Sequence, residues 1–374
     1  MIEFLEGNDA VVRAAVEAGC RFFAGYPITP ATSILTGMMR ALPKVGGVAV
    51  QGEDEIASIG LCIGAAMTGK VAMTATSGPG MSLYSENIGL AVMGETPLVI
   101  VDVQRQGPAT GSATKGADGD IEFLRWGTSG GLPLFVLSPE NVRECYTLTR
   151  EAFVLAERYR TPVVLASQKE VGLTREAVDL QAARDDSPSV FARPLADPEA
   201  PYLPHAFHDP ADVAPMSPIG GPHLVRYTTS MHDKRALLAK DPALIGEMME
   251  HLARKILAHA EEHALYDLDP QEGADTLLVA YGVTARAARE AVVQVRAAGK
   301  KAALLVLKTL FPVPEKAIGE ALAGVSRVVV PEMNLGQYVE EVRKLSGDRE
   351  VVSVAKMNTD LLSPEEIIAQ GGLL

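Results

Sequence analysis

Short apolar runs alternate with stretches of helical spacing along the first half of the chain. "GNDAVVRAAVEAG" places apolar residues every three or four positions behind an Asn-Asp start, so a helix is predicted there. "RFFAGY" reads as a short strand. "TPATSILTGMMRAL" reads as a helix with Thr29 as its candidate cap and Pro30 near its first position. "VAVQ" is a further strand, and "EDEIASIGLCIGAAMTG" a helix rich in small residues, apolar enough to suggest burial. "KVAMTAT" and "PLVIVDV" read as buried strands with the helix "MSLYSENIGLAVMG" between them. "PLFVL", the long helix "SPENVRECYTLTREAFVLAERY" and "TPVVLAS" complete the series. This alternation predicts an α/β fold, a mostly parallel sheet with helices on both faces. In such sheets ligands sit beyond the carboxyl ends of the strands.

The pattern changes after about residue 185, where "DDSPSVFARPLADPEAPYLPHAFHDPADVAPMSPIGGPHLV" is rich in proline and lacks periodicity. Such a stretch is a connector or an arm laid over another surface, and contact with another subunit is its expected role. It holds His205, His208 and His223, and His232 follows. Their spacing matches no usual ligand pattern, so no metal site is expected. A helix at about 240 to 264 leads to a second block, where "DTLLVAYG", "KAALLVL", "RVVVPE" and "VVSVA" alternate with helices. The chain thus divides into residues 1–185, a connector and helix at 186–273, and a smaller α/β domain of three or four strands at 274–374.

Composition narrows the function classes. Lys and Arg total 34 against 47 Asp and Glu, a formal net charge of -13. With no basic run, nucleic acid and anionic membranes are not expected partners. No apolar run approaches the roughly 20 residues a membrane helix needs. The N-terminus "MIEFLEGNDA" lacks the basic and apolar regions of a signal peptide. Cys20, Cys62 and Cys145 lie far apart with no CxxC, which gives no four-cysteine zinc or iron–sulfur site and suits a reducing cytoplasm.

Four stretches fall at strand ends or at the helix starts after them: "GYPITP", "QGEDEIAS", "ATSGPGMS" and "VDVQRQGPATG". Two prolines in "YPITP" stop a strand abruptly and leave Thr29 at its end. Glu53, Asp54 and Glu55 open a helix, where acids suit the dipole. Glu55 stands at the mouth of the apolar helix, and a sheltered carboxylate there needs a defined partner. Gly78 and Gly80, around Pro79 and after Ser77, would let a helix start approach a ligand closely, or form only a tight strand-to-helix turn. Arg105, ending an apolar strand, suits bidentate capture of a carboxylate or phosphate, or a structural ion pair.

These motifs, in this order, resemble the α subunit of 2-oxoacid:ferredoxin oxidoreductases over nearly the whole chain. "YPITP" is that family's signature, and "GEDEIASIG", "TATSGPGMSL" and "VQRQGPATG" follow at similar spacing. The resemblance implies a thiamine diphosphate-binding domain followed by one like the transketolase C-terminal domain. It implies that Thr29 and Arg105 hold the carboxylate of a 2-oxoacid. Glu55 would hydrogen-bond the pyrimidine ring of the cofactor, and Ser77, Gly78, Pro79 and Gly80 would line its pocket. The chemistry agrees: a glutamate sheltered from water keeps its proton more readily and can donate it to a ring nitrogen. The activity implied is oxidative decarboxylation of the 2-oxoacid, with coenzyme A as co-substrate and electrons passing to ferredoxin.

What is missing sharpens the expectation. The diphosphate and Mg²⁺ usually sit on a GDG motif, and "GADGD" at 116 to 120 does not fit it. The resemblance therefore implies that a β subunit holds the diphosphate, the Mg²⁺ and an iron–sulfur cluster, and that a γ subunit handles part of coenzyme A. No γ-type domain precedes "YPITP", so the separate-subunit form is expected. 2-Oxoglutarate is the expected substrate; Lys115 is read first as an exposed loop lysine and otherwise as a candidate for the second carboxylate. A branched-chain, aromatic or pyruvate-type oxidoreductase is the alternative. A non-catalytic scaffold subunit should lack one of Thr29, Glu55 and Arg105, and all three are present.

Overall fold

Continuous apolar runs become fully buried strands. The computed structural model describes residues 2–374. Its first part comprises β1 (Ile2–Glu6), α1 (Gly7–Glu17), β2 (Phe22–Gly25), α2 (Thr32–Ala41), β3 (Val48–Gln51), α3 (Glu55–Met67), β4 (Ala72–Thr76) and α4 (Gly78–Met93). It continues through β5 (Leu98–Gln104), α5 (Ile121–Trp126), β6 (Phe135–Leu137), α6 (Val142–Tyr159), β7 (Pro162–Gln168), α7 (Lys169–Gly172), β8 (Arg175–Asp179) and α8 (Leu180–Asp185). After an irregular arm come α9 (Pro242–Leu257), β9 (Tyr266–Asp269), β10 (Thr276–Tyr281), α10 (Thr284–Ala297), β11 (Ala302–Leu307) and β12 (Thr309–Phe311). The last elements are α11 (Glu315–Ala321), β13 (Arg327–Glu332), α12 (Tyr338–Leu345), β14 (Glu350–Ala355) and α13 (Pro364–Gly371).

The main sheet has the order β12-β6-β7-β5-β4-β2-β3. β5, β4, β2 and β3 are consecutive and parallel, so their carboxyl ends share one edge. Every residue of β4 and β5 is buried, which is why both read as mostly apolar runs. The edge strand β12 comes from beyond residue 300 and pairs antiparallel with β6. The second sheet, β14-β13-β10-β11-β9, has five strands, not three or four. The extra one, β9, is short, half polar and antiparallel to β11. β1 and β8 form a separate antiparallel pair.

The proline-rich arm lies on the first domain of its own chain. Ile219 N–H donates to Met67 O (2.9 Å), and His232 is hydrogen-bonded to Met93 O (3.1 Å). Its pin is Glu95, 0% exposed and just past α4. Glu95 meets His205 (2.6 Å) from the arm and His251 (3.1 Å) and Lys255 (2.7 Å) from α9. Arg160, also buried, donates to Glu95 O, Pro204 O and Ala214 O. Burial alone would push the Glu95 carboxyl up, but Lys255, His205 and His251 hold it well below the usual carboxylate range. Glu95→Gln keeps the shape and removes the charge opposite a buried lysine. It should lower stability by about 2 kcal/mol, read as a shifted urea midpoint; an unchanged midpoint would show that the pin is dispensable.

Candidate active site

The four strand ends bring the site together. β2 ends at Gly25, and the chain turns through Tyr26–Pro30 at the sheet edge. Asn8, buried in α1, fixes that turn by donating from Nδ2 to Pro30 O (3.0 Å) and Ser33 Oγ (2.8 Å). α2 starts at Thr32 behind Ala31, so Thr29 is not its cap but lies before it, exposed. The turn is free of helix geometry, which is what leaves Thr29 at the edge.

β5 ends at Gln104 and delivers Arg105, only 5% exposed. Its Nη1 donates to Thr29 O (2.6 Å), while its buried Nε finds no partner among the described residues. Two sequence-distant candidates are thus joined directly.

β3 delivers α3, which starts at Glu55 with Asp54 as its cap; Asp54 accepts from Ala57 N–H (2.7 Å). Glu53 precedes the helix and is exposed. Glu55 is 7% exposed. The helix is not buried all round: Ser58, Ile59, Cys62, Ile63 and Ala66 face inward, while Ile56, Gly60, Leu61 and Gly64 are exposed. Its uniform apolarity hides this asymmetry.

β4 ends at Thr76, and "GPG" is the first turn of α4 rather than a separate turn. Ser77 precedes it with a buried, unpartnered Oγ among the described residues. A Cβ at Gly80 would overlap Thr76 Oγ1 and come within 2.9 Å of Glu55 Cγ. One at Gly78 would lie 4.0 Å from Arg105 Cγ and 3.6 Å from Asp120 Oδ2. The first turn of α4 therefore runs between Glu55 on one side and Arg105, with Thr29, on the other. At Gly80 only glycine permits that approach. Pro79 holds the same turn.

Lys115 is exposed on the loop after Arg105, where its carbonyl accepts from Gln106 N–H (2.9 Å). The same loop is anchored by the second domain. Asp118 N–H donates to Met333 O (3.1 Å), and Gln337 Nε2 donates to Gly119 O (2.8 Å).

Sequence reasoning missed three acids here. Asp102 is a charge inside the apolar run of β5, and that was the available signal; Asp118 and Asp120 lie in "GADGD". Asp118 is fully buried, accepts from Gln168 Nε2 (2.9 Å), and is pushed up to about 7 by burial and then by Glu332. Its folded value exceeds its unfolded one, so its stability contribution is complete below about pH 4. It is lost as pH rises to about 7, a change of about 4 kcal/mol. Asp118→Asn should remove that component from urea midpoints measured between pH 5 and 8. Identical pH dependence in both proteins would contradict it.

Two family models match the chain. Residues 13–250 match the family described as pyruvate flavodoxin/ferredoxin oxidoreductase, thiamine diphosphate-binding. Residues 274–367 match pyruvate:ferredoxin oxidoreductase core domain II. The chain is 40% identical to the 2-oxoglutarate synthase subunit KorA of Methanocaldococcus jannaschii, covering 98% of each chain. It is 34% identical to the ketoisovalerate oxidoreductase subunit VorB of Methanothermobacter marburgensis, over 98% of this chain and 96% of that one. Among solved structures, the 2-oxoglutarate:ferredoxin oxidoreductase of Magnetococcus marinus superposes with a TM-score of 0.93 at 32% identity. That alignment takes in 99% of this chain and spans 65% of the other. A split-gene transketolase (TM-score 0.56, 15% identity) shares the fold. No helix among the described residues is long and apolar enough to cross a membrane. The chain belongs to the 2-oxoacid:ferredoxin oxidoreductases, as an α subunit.

Proposed function

We propose that this chain supplies the pyrimidine side of a thiamine diphosphate site and the groups that hold the substrate carboxylate. The reaction is conversion of 2-oxoglutarate and coenzyme A to succinyl-CoA and carbon dioxide, or its reverse, with electrons exchanged with ferredoxin. The observation that carries this reading is the arrangement around the first turn of α4: Glu55 on one side, Arg105 hydrogen-bonded to Thr29 on the other. The relatives named for 2-oxoglutarate at 40% identity, against 34% for ketoisovalerate, favour the C5 diacid. So does the superposed structure, whose ligands are 2-oxoglutarate, coenzyme A and succinyl-CoA.

The residues fit the pyrimidine end of the cofactor: a sheltered carboxyl, Glu55, packed against Gly80, where any side chain would displace it. When bound, thiamine diphosphate supplies the nucleophilic carbon for attack on the substrate keto group. Glu55 would hydrogen-bond the far nitrogen of the pyrimidine, the contact through which a proton can pass. Arg105 and the Thr29 hydroxyl orient the carboxylate that leaves as carbon dioxide. Ser77, Gly78, Pro79 and Gly80 would form one wall of the cofactor pocket. The exposed apolar side of α3 supports a partner β subunit carrying the diphosphate, Mg²⁺ and an iron–sulfur cluster, with a γ subunit for coenzyme A. The three buried free cysteines support a cytoplasmic setting.

Assays of the complex purified with its natural partners, using coenzyme A and a low-potential dye, test the substrate. 2-Oxoglutarate should give the highest kcat/KM in a panel that includes pyruvate, ketoisovalerate and an aromatic 2-oxoacid. A preference for any other member replaces the 2-oxoglutarate reading; no turnover with any leaves the scaffold reading standing.

A further inference from the structure

Arg105 is a buried cation with two acids, Asp102 and Asp120, close to it in the fold. Asp102 lies three residues before it on β5, is 0% exposed, and neither of its oxygens meets a donor in hydrogen-bonding geometry among the described residues. The Gly78 N–H at the start of α4 gives it only partial relief. Asp120, on the loop beyond, reaches the same place: its carboxyl and the Arg105 stem flank one point at Gly78, 3.6 and 4.0 Å from it. Its Oδ2 is likewise buried and unpartnered. Asp118, two residues away, is turned to Gln168 and to Glu332 of the second domain. The groups facing the Asp102–Asp120 pair are therefore each other and Arg105.

Two adjacent carboxyls in such a place cannot both ionise. Like charges repel, burial penalises both, and the partial relief from the Gly78 N–H does not compensate three buried oxygens. One proton placed between them satisfies an oxygen on each, since a carboxylic acid donates where a carboxylate only accepts. Burial, and then the neighbouring Asp120 charge, hold Asp102 well above the usual carboxylate range; burial also raises Asp120. The remaining single negative charge balances Arg105.

We propose that Asp102 and Asp120 share one proton as the counter-charge of Arg105, and that capture of a ligand carboxylate by Arg105 draws a second proton onto the pair. The incoming carboxylate adds a negative charge beside the pair, so the still-ionised oxygen takes a proton from solvent. Asp120, the less buried of the two, is the entry point. No bond other than O–H forms and no electron moves. The consequence is that Arg105 is released to the substrate instead of staying neutralised by its own neighbours. Asp102 and Asp120 act through Arg105 as positioning residues. The inference rests on the reading that Arg105 takes the 2-oxoacid carboxylate.

The test is calorimetry of 2-oxoglutarate binding to the assembled complex, loaded with a thiamine diphosphate analogue that lacks the acidic ring carbon. Titrations near neutral pH in two buffers of different ionisation heat report protons exchanged. The expected result is uptake approaching one proton per site, and affinity falling up to tenfold per pH unit above neutrality. Zero uptake by the unsubstituted complex overturns the inference without any variant. D102N/D120N should bind with no uptake and a flat pH profile, a result that a merely structural role would not give; full uptake in that variant overturns the inference as well. Arg105→Ala separates the two levels. If it binds 2-oxoglutarate normally, the reading of Arg105 has failed. If it loses binding while the unsubstituted complex takes up no proton, only the acid pair has failed.

Discussion

Glu55→Gln should lower turnover of the assembled enzyme by about 10²- to 10⁴-fold, the range a positioned proton donor contributes. Glu55 opens α3 behind the Asp54 cap, so glutamine fits the same place without disturbing the helix start. Its amide can still donate a hydrogen bond, but it cannot release and recover a proton. The loss should therefore appear in kcat, with the folded state and the affinity for 2-oxoglutarate little changed. Circular dichroism and urea midpoints establish the first point, and calorimetry the second. Turnover within a few-fold of the unsubstituted enzyme would remove Glu55 from the proton path.

Arg105→Ala should lower kcat/KM for 2-oxoglutarate by at least about 30-fold, since truncating one partner of a desolvated charge pair costs about 2–5 kcal/mol. The effect should fall mainly on KM, because the carboxylate proposed to meet the guanidinium is present from the first encounter. Arg105→Lys should recover only part of it: lysine restores charge but not a planar fork or the bond to Thr29 O. If the lysine variant performed like arginine, Arg105 would be acting as a general positive charge and not as a shaped donor. If alanine left the substrate dependence unchanged, the carboxylate would be held elsewhere.

The placement of these residues was legible because parallel α/β sheets collect strand ends. "YPITP", "EDE", "SGPG" and "QRQGP" each follow an apolar run, and the order β5-β4-β2-β3 sets the four ends side by side. The order itself was not legible, since it is decided by packing between distant strands. Nor was β12, whose three residues leave the second block to close the edge of the first sheet. Thr29 looked like a helix cap because threonine before proline commonly is one; Asn8, far away in α1, fixes a different turn. The acid in β5 was visible as a charge among buried residues, but its meaning depends on Asp120, which lies across a loop. The Glu95 cluster was invisible for the same reason: its histidines and lysine look like solvated loop and helix residues until the arm folds back.

The proposed cofactor site is shared between two polypeptides, with Glu55 at its pyrimidine and Arg105 at the substrate. A structure of the assembled enzyme with thiamine diphosphate and 2-oxoglutarate tests this most directly. Glu55 should lie within about 2.6–3.2 Å of a pyrimidine nitrogen, Arg105 and Thr29 on the carboxylate beside the keto group, and the diphosphate on another subunit. A cofactor enclosed by this chain alone, or a 2-oxoacid bound away from Arg105, would contradict it.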